Sequence, residues 1–317
     1  MKDQVATRPA TTGKFTDPQR TAKGEPRATV ALTDPQTLWF NTGTLCNITC
    51  VNCYIDSSPT NDALEYITVD DMIPYLDEAE ARGWGLREIG FTGGEPFMNP
   101  QMVEMARHCL ERGYEVLILT NAMLPMMRPA VREGLLDLQK TYSEKLTLRI
   151  SLDHWAEEHH DEMRGKGSYK RTLMGMRWLR DNGFRMAVAA RALWNETDAQ
   201  SRAGFADLYA RESFNIDAQD PATTVIFPEM DESVDVPEIT TSCWSILDKS
   251  PKDIMCSSSR MVVKRKGQPL SVAACTLLPY EAEFDLGHTL AAAEREVALN
   301  HPHCAKFCVL GGASCSV

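Results

Sequence analysis

The sequence has 317 residues, is 43% hydrophobic and 24% charged, and carries a formal net charge of −11. This composition is typical of a globular protein with one large domain and a smaller one. The acidic balance and the absence of a long Lys/Arg run disfavour nucleic acids and anionic membranes as partners, and no apolar run is long enough to span a bilayer.

The first 30 residues are rich in Thr, Pro, Lys and Gly and lack the apolar segment of a signal peptide. We expect a disordered tail over residues 1–30 and a cytoplasmic location. The sequence also contains ten cysteines. In a reducing compartment, clustered thiols indicate metal binding or redox chemistry and not disulfides.

Strand-like and helix-like patterns alternate through the middle of the chain. The predicted strands are Thr37–Leu45, Leu86–Phe91, Glu115–Thr120, Leu146–Leu152, Phe184–Arg191 and Thr223–Phe227. The predicted helices are Val69–Arg82, Pro100–Arg112, Pro125–Lys140, Tyr169–Asn182 and Asp198–Arg211. This alternation predicts an α/β fold with a parallel sheet, and six such units favour a partial (β/α)6 TIM-like barrel.

A boundary is expected near residue 235, which divides the chain into a barrel over residues 31–235 and a small cysteine-rich extension over residues 236–317. The extension contains a predicted β-hairpin, formed by Arg260–Lys264 and Pro269–Ala274 around a Lys-Gly turn.

Four polar or cysteine-containing segments follow predicted strands: Cys46–Cys53, Gly93–Pro96, Thr120–Asn121 and Ser151–Asp153. In a parallel barrel the chemistry takes place at the carboxyl ends of the strands. We therefore expect these four segments to meet on one rim.

The first of these segments has the spacing C-x3-C-x2-C, with cysteines at positions 46, 50 and 53. Three thiolates on one loop can hold three irons of a cubane and leave the fourth iron open. A structural zinc site normally needs four protein ligands. The spacing therefore favours an iron–sulfur cluster held by Cys46, Cys50 and Cys53.

The cysteine loop and the segment Gly93-Gly94-Glu95-Pro96, in this order after the first two strands, resemble the radical S-adenosylmethionine (radical SAM) superfamily over residues 38–227. The resemblance implies a 4Fe-4S cluster whose open iron binds S-adenosylmethionine and reduces it, yielding a 5′-deoxyadenosyl radical that abstracts hydrogen from a substrate. It also implies that Gly93, Gly94, Glu95 and Pro96 contact the amino group of S-adenosylmethionine. A reductant such as flavodoxin or ferredoxin is an expected partner.

Other rim residues are candidate cofactor contacts. Many members of the superfamily have an aromatic residue before the third cysteine, whereas here that position is Asn52 and Tyr54 follows the cysteine. The remaining candidates are polar side chains at or near strand ends: Asn121, Ser151, Asp153, Arg164 and Arg191. Asp153 has an alternative role as the N-cap of the acidic stretch that follows it.

The C-terminal cysteines resemble the SPASM and twitch extensions of the superfamily. Cys256 and Cys275 flank the predicted hairpin, and Cys304, Cys308 and Cys315 follow. The resemblance implies a second, auxiliary 4Fe-4S cluster held by Cys256, Cys275, Cys304 and either Cys308 or Cys315, with the role of Cys243 open. A structural zinc is the alternative, and the nearby His301 and His303 are expected to be exposed.

A small-molecule substrate is the first hypothesis, since thirty polar residues before the barrel cannot form a leader-peptide-binding domain. A peptide- or protein-modifying maturase is the alternative. A non-catalytic electron carrier or redox sensor would also need clustered cysteines, but it would not need the Gly93–Pro96 segment.

Overall fold

The computed structural model describes residues 13–229 and 234–312. Within these ranges the strands are β1 (Thr29–Val30), β2 (Thr37–Asn41), β3 (Glu88–Thr92), β4 (Glu115–Thr120), β5 (Leu146–Ser151), β6 (Arg185–Ala192), β7 (Thr224–Pro228), β8 (Ser259–Val263), β9 (Ser271–Ala273) and β10 (Val297–Ala298). The α-helices are α1 (Val69–Ala81), α2 (Met102–Glu111), α3 (Pro129–Tyr142), α4 (Glu157–Arg164), α5 (Ser168–Asp181), α6 (Asp198–Glu212) and α7 (Cys243–Ile246).

The main sheet has eight strands in the order β7-β6-β5-β4-β3-β2-β8-β9. Strands β2 to β7 pair in chain order and in parallel. This arrangement confirms the predicted α/β fold with a parallel sheet. The two terminal strands of this order, β7 and β9, do not pair with each other in the described part of the chain, so the barrel is open.

The strands form where near-continuous apolar runs are covered on both faces. All five residues of β2 are buried, as expected for a parallel strand between layers. Trp39 of β2 lies against Gly90 of β3, where an added Cβ would stand 2.4 Å from the indole ring. Only glycine at position 90 leaves room for this large side chain between neighbouring strands.

Among the elements that differ from the prediction, two contact or precede the cysteine loop. Strand β2 ends at Asn41 rather than at Leu45, because residues 42–45 leave the sheet and pack against the turn after β3. Helix α4 was not predicted, since it is short and polar and buries only His160 and Met163. In the described ranges, no helix combines the length and the apolar character needed to cross a membrane.

The predicted hairpin is present as β8 and β9, which pair antiparallel. Strand β8 also pairs in parallel with β2, with Thr37 opposite Ser259. The hairpin thus continues the barrel sheet across the boundary expected near residue 235 and does not form a sheet of its own.

The expected disorder of residues 1–30 is wrong for residues 13–30, and residues 1–12 lie outside the described part of the chain. Phe15 is 3% exposed, and β1 pairs with β10 near the other end of the chain. The Arg27 guanidinium lies 2.5 Å from the Glu238 carboxylate. Composition failed here because the partners that order this segment lie more than 200 residues away.

Candidate functional site

A cavity lies at the carboxyl ends of the parallel strands. It encloses about 1010 Å³ of empty space, including its open mouth. Eleven of the predicted site residues line it: Cys46, Cys50, Cys53, Tyr54, Gly93, Gly94, Asn121, Ser151, Asp153, Arg164 and Arg191.

The cysteine loop follows β2 and is held at both of its sides. The Cys46 amide donates to the Ser58 carbonyl at 3.0 Å, and the Val51 amide donates to the Met163 carbonyl at the end of α4 at 2.8 Å. Burial, with a smaller contribution from the neighbouring Glu95 carboxylate, raises the pKa of the Cys46 thiol to about 12. Because a cysteine must be a thiolate to bind a metal, the binding of a cluster to this loop would release protons.

Gly93 and Gly94 let the turn after β3 approach the start of the cysteine loop. The Gly94 amide donates to the Gly43 carbonyl at 2.9 Å. A Cβ at Gly94 would stand 2.4 Å from the Leu45 carbonyl oxygen, and Gly93 has φ +144, a conformation that favours glycine. The glycine pair therefore fixes the loop by backbone contact and also lines the cavity.

Glu95 and Pro96 lie outside the lining of the cavity, and their contact with the cofactor stays a prediction. The Glu95 carboxylate is 1% exposed and accepts from the Asn121 amide at 2.8 Å and the Thr120 hydroxyl at 2.9 Å. Burial raises its pKa to about 7. Pro96 begins a short 3-10 turn, Pro96–Met98. These residues support the rim from behind.

Asn121 connects the rim to the cysteine loop. Its Nδ2 donates to Asn47 Oδ1 at 2.9 Å and to Cys46 Sγ at 3.9 Å. Helix α5 holds its backbone from the other side, because the Thr172 hydroxyl donates to the Asn121 carbonyl at 3.0 Å. This side chain reaches the Cys46 thiol directly, a contact that its position after β4 did not reveal.

Asp153 pairs with both candidate arginines and caps no helix. Arg164 donates to it in a bidentate contact at 2.7 and 2.9 Å, and Arg191 Nε lies 3.4 Å away. Burial opposes ionisation of Asp153, but the charges of Arg164 and then Arg191 outweigh it and hold the pKa below its usual range. The N-cap of α4 is Ala156.

Arg191 also contacts the cysteine loop, where it donates to the Val51 carbonyl at 3.1 Å. The Tyr54 hydroxyl lies 3.0 Å from the Thr92 hydroxyl at the end of β3. The cavity has an apolar wall that sequence reasoning missed, formed by Leu119, Phe227, Leu277 and Phe307. Leu119 and Phe227 could have been found from their positions at strand ends, whereas Leu277 and Phe307 carry no such signal.

Three of the C-terminal cysteines lie close enough for their charges to interact. Burial raises the pKa of Cys304 well above its usual range, and the nearby Cys275 and Cys256 raise it further. Cys308 lies on the same π-helical segment, Cys304–Leu310, and Cys315 lies outside the described residues. Cys243 accepts from the Thr240 amide at 3.4 Å.

The histidines beside Cys304 are buried, with His301 1% and His303 6% exposed. The expectation that they are exposed is therefore wrong, since the π-helical segment packs them into the core. Among residues 13–229 and 234–312, no three His, Cys, Asp or Glu side chains are close enough to hold a single metal ion.

The donor set of the cavity fits an iron–sulfur cluster with an open iron. Three thiols from one loop face a cavity with a glycine backbone on one side and a buried Asp–Arg pair on another. Soft thiolates select iron–sulfur clusters, and the remaining space and polar groups can receive a polar ligand.

Comparisons with known proteins agree with this geometry. The model of the radical SAM superfamily matches residues 40–199, just over half of the chain. The subtilosin biosynthesis protein AlbA of Bacillus subtilis is 35% identical over 145 residues, covering 45% of this chain and 30% of AlbA. The AdoMet-dependent heme synthase of Methanosarcina barkeri is 32% identical over 140 residues, covering 44% of this chain and 37% of the synthase.

The structure of Streptococcus suis SuiB bound to S-adenosylmethionine has the same fold, with a TM-score of 0.57 at 15% identity, covering 83% of this chain and 64% of SuiB. The chain thus spans less than two thirds of the length of each of these relatives. The family match covers the cysteine loop and the Gly93–Pro96 turn together. The chain therefore belongs to the radical SAM superfamily, whose enzymes use a 4Fe-4S cluster and S-adenosylmethionine.

Proposed function

We propose that Cys46, Cys50 and Cys53 hold the S-adenosylmethionine-binding cluster and that the cavity is the active site of a hydrogen-abstracting enzyme. When bound, the cluster supplies the electron that cleaves S-adenosylmethionine to methionine and the 5′-deoxyadenosyl radical. The observation that carries the proposal is that the three thiols and the Gly93–Gly94 backbone line one cavity. A flavodoxin- or ferredoxin-type protein is the proposed electron donor.

The polar rim residues of this chain bind and orient the methionine moiety in our proposal. Gly93 and Gly94 bring backbone groups to the cavity surface. Arg164 and Arg191 together carry one more charge than Asp153 neutralises. This positive excess suits the carboxylate of S-adenosylmethionine. Ser151 and Tyr54 complete the polar lining.

We further propose an auxiliary 4Fe-4S cluster on Cys256, Cys275 and Cys304, with Cys308 or Cys315 as the fourth ligand. The electrostatic interaction of two buried thiols, Cys256 and Cys304, with the half-buried Cys275 supports it. Two of these cysteines are close in sequence to the cavity wall: Leu277 lies two residues from Cys275, and Phe307 lies three residues from Cys304. The length of the intervening backbone places Cys275 and Cys304 within roughly 7–11 Å of that wall. A cluster there is placed to anchor the substrate or accept its electron.

A small molecule with an apolar part is the proposed substrate. The wall formed by Phe227, Leu277 and Phe307 supports an apolar part, and the similarity to a heme synthase supports a small molecule. A modified peptide is the second candidate, because AlbA acts in bacteriocin biosynthesis. In that case a single side chain of the peptide would enter the cavity.

The first experiment tests cleavage. Anaerobically reconstituted and reduced protein should release 5′-deoxyadenosine from S-adenosylmethionine, and the variant with Cys46, Cys50 and Cys53 all changed to Ala should not. Cys109→Ala is the matched control, since Cys109 is fully buried in α2 away from the cavity. Release of 5′-deoxyadenosine by the triple variant would refute the assignment.

The second experiment tests the auxiliary site. The triple variant should retain about four irons per chain, the content of one cubane. Stoichiometric zinc with negligible iron would replace the auxiliary cluster with a structural zinc and would leave the cleavage assignment intact.

A further inference from the structure

Arg260 is a buried arginine that lies close to the C-terminal cysteines. It lies on β8 and is 0% exposed. Arg27 pairs with Glu238 and Arg164 with Asp153, but within the described residues no carboxylate lies within ion-pair distance of Arg260.

The Arg260 guanidinium is held in one position by backbone carbonyls. Its Nε donates to the Ala293 carbonyl at 2.8 Å. Its Nη1 donates to the Cys256 and Ser259 carbonyls at 2.6 and 2.8 Å, and its Nη2 donates to the Arg295 carbonyl at 3.3 Å. These bonds satisfy most of its donors but leave its charge uncompensated, since carbonyls are neutral.

An uncompensated charge inside a protein is strongly unfavourable, and buried charges are normally paired or beside a metal centre. The contact between Arg260 Nη1 and the Cys256 carbonyl, at 2.6 Å, places the guanidinium beside one of the cysteines proposed to hold the auxiliary cluster. A cluster bound through Cys256 would supply the negative charge that this guanidinium lacks.

We infer that Arg260 is the built-in counter-charge of the auxiliary iron–sulfur cluster and raises its reduction potential. The inference rests on the proposed auxiliary cluster. A thiolate-ligated cluster is negatively charged and becomes more so when it gains an electron. A fixed guanidinium therefore stabilises the reduced form more than the oxidised form, and net charge is one of the factors that set such potentials. Arg260 is a positioning residue in this role and touches no substrate.

The test uses the Cys46, Cys50 and Cys53 triple Ala variant, so that only the auxiliary cluster is present. In this background, Arg260→Met removes the charge and keeps an unbranched side chain. At a fixed solution potential, we expect the ratio of reduced to oxidised cluster to fall by about tenfold or more, equivalent to about 59 mV for one electron. Redox titration followed by electron paramagnetic resonance measures it.

Arg295→Met is the matched control, because Arg295 is exposed in the same region and water screens its charge. It should leave the ratio unchanged. Arg260→Lys keeps the charge and should change the ratio less than Arg260→Met does.

An unchanged ratio in Arg260→Met, with iron retained, would overturn the inference. If Arg260→Met loses its iron, Arg260→Lys decides: iron and potential retained there support the counter-charge, and iron lost there as well overturns it. Absence of iron from the triple variant itself would be the failure of the auxiliary-cluster proposal, which is a separate result.

Discussion

Replacing Gly94 by Ala tests whether the turn after β3 holds the cysteine loop in place. The added Cβ would stand 2.4 Å from the Leu45 carbonyl oxygen and 2.6 Å from the Thr44 carbonyl oxygen. These distances fall about 1 Å short of a normal van der Waals contact. Both atoms belong to the backbone, so no side-chain rotation can relieve the overlap.

The backbone around Gly94 has little freedom to move. The Gly94 amide donates to Gly43 at 2.9 Å, and the Glu95 amide donates to Leu45 at 3.2 Å. Separating the two segments by about 1 Å would break or lengthen both bonds. Overpacking of this kind typically costs about 1–3 kcal/mol, which corresponds to roughly a fivefold to 150-fold change in an equilibrium constant.

The assay compares iron content, the change in the cluster's electron paramagnetic resonance signal on adding S-adenosylmethionine, and the denaturant midpoint. We expect Gly94→Ala to lose stability by about 1–3 kcal/mol and to show a weakened response to S-adenosylmethionine. Gly85→Ala is the matched control, since no atom lies within 4 Å of its added Cβ and its φ is not positive. If Gly94→Ala matches Gly85→Ala in all three measurements, the close-approach argument is refuted.

Three further predictions follow from the supports of the rim. Asp153→Asn leaves the buried Arg164 without its carboxylate and should cost about 3–5 kcal/mol of unfolding free energy, measured by denaturation; a loss below about 1 kcal/mol would contradict the buried pair. Glu95 has a folded pKa of about 7 against an ordinary 4.5, so its contribution to stability is full below pH 4.5 and is lost as pH rises to about 7. Between pH 5 and pH 8 the unfolding free energy of the parent protein should therefore fall by up to about 3 kcal/mol more than that of Glu95→Gln. Parallel curves of unfolding free energy against pH for the two proteins would contradict this prediction. Tyr54→Phe removes only the hydroxyl contact with Thr92 and should cost about 1 kcal/mol while leaving the iron content unchanged; loss of iron would mean that Tyr54 has a larger role.

The parts of the molecule that could be predicted are those encoded locally. A buried parallel strand is recognisable as a run of apolar residues, and the cysteines of the loop are close together in the sequence. The rim segments around Cys46 and Gly93 could therefore be placed from the sequence alone. The support by Glu95 could not, because its partners Thr120 and Asn121 lie 25 and 26 residues further along the chain.

The sequence also did not reveal the burial of residues whose neighbours come from distant parts of the chain. Arg260 lies in a segment predicted to be an ordinary hairpin strand. It becomes fully buried because β8 adds to the sheet at β2 and the segment around Ala293 covers it. The order of residues 13–30 likewise depends on β10 and Glu238. Such contacts leave no periodic pattern in the sequence.

The pairing of β2 with both β3 and β8 bears on how the two proposed clusters are related. The cysteine loop follows β2, and the hairpin that Cys256 and Cys275 flank begins at the neighbouring strand β8. Had residues 236–317 formed a separate domain on a linker, motion between the two sites would be the default expectation. A shared, fully buried strand removes that freedom, so the distance between the proposed clusters is set by the sheet. The wall formed by Leu277 and Phe307 is accordingly a fixed part of the cavity, and the proposed active site includes side chains of the extension.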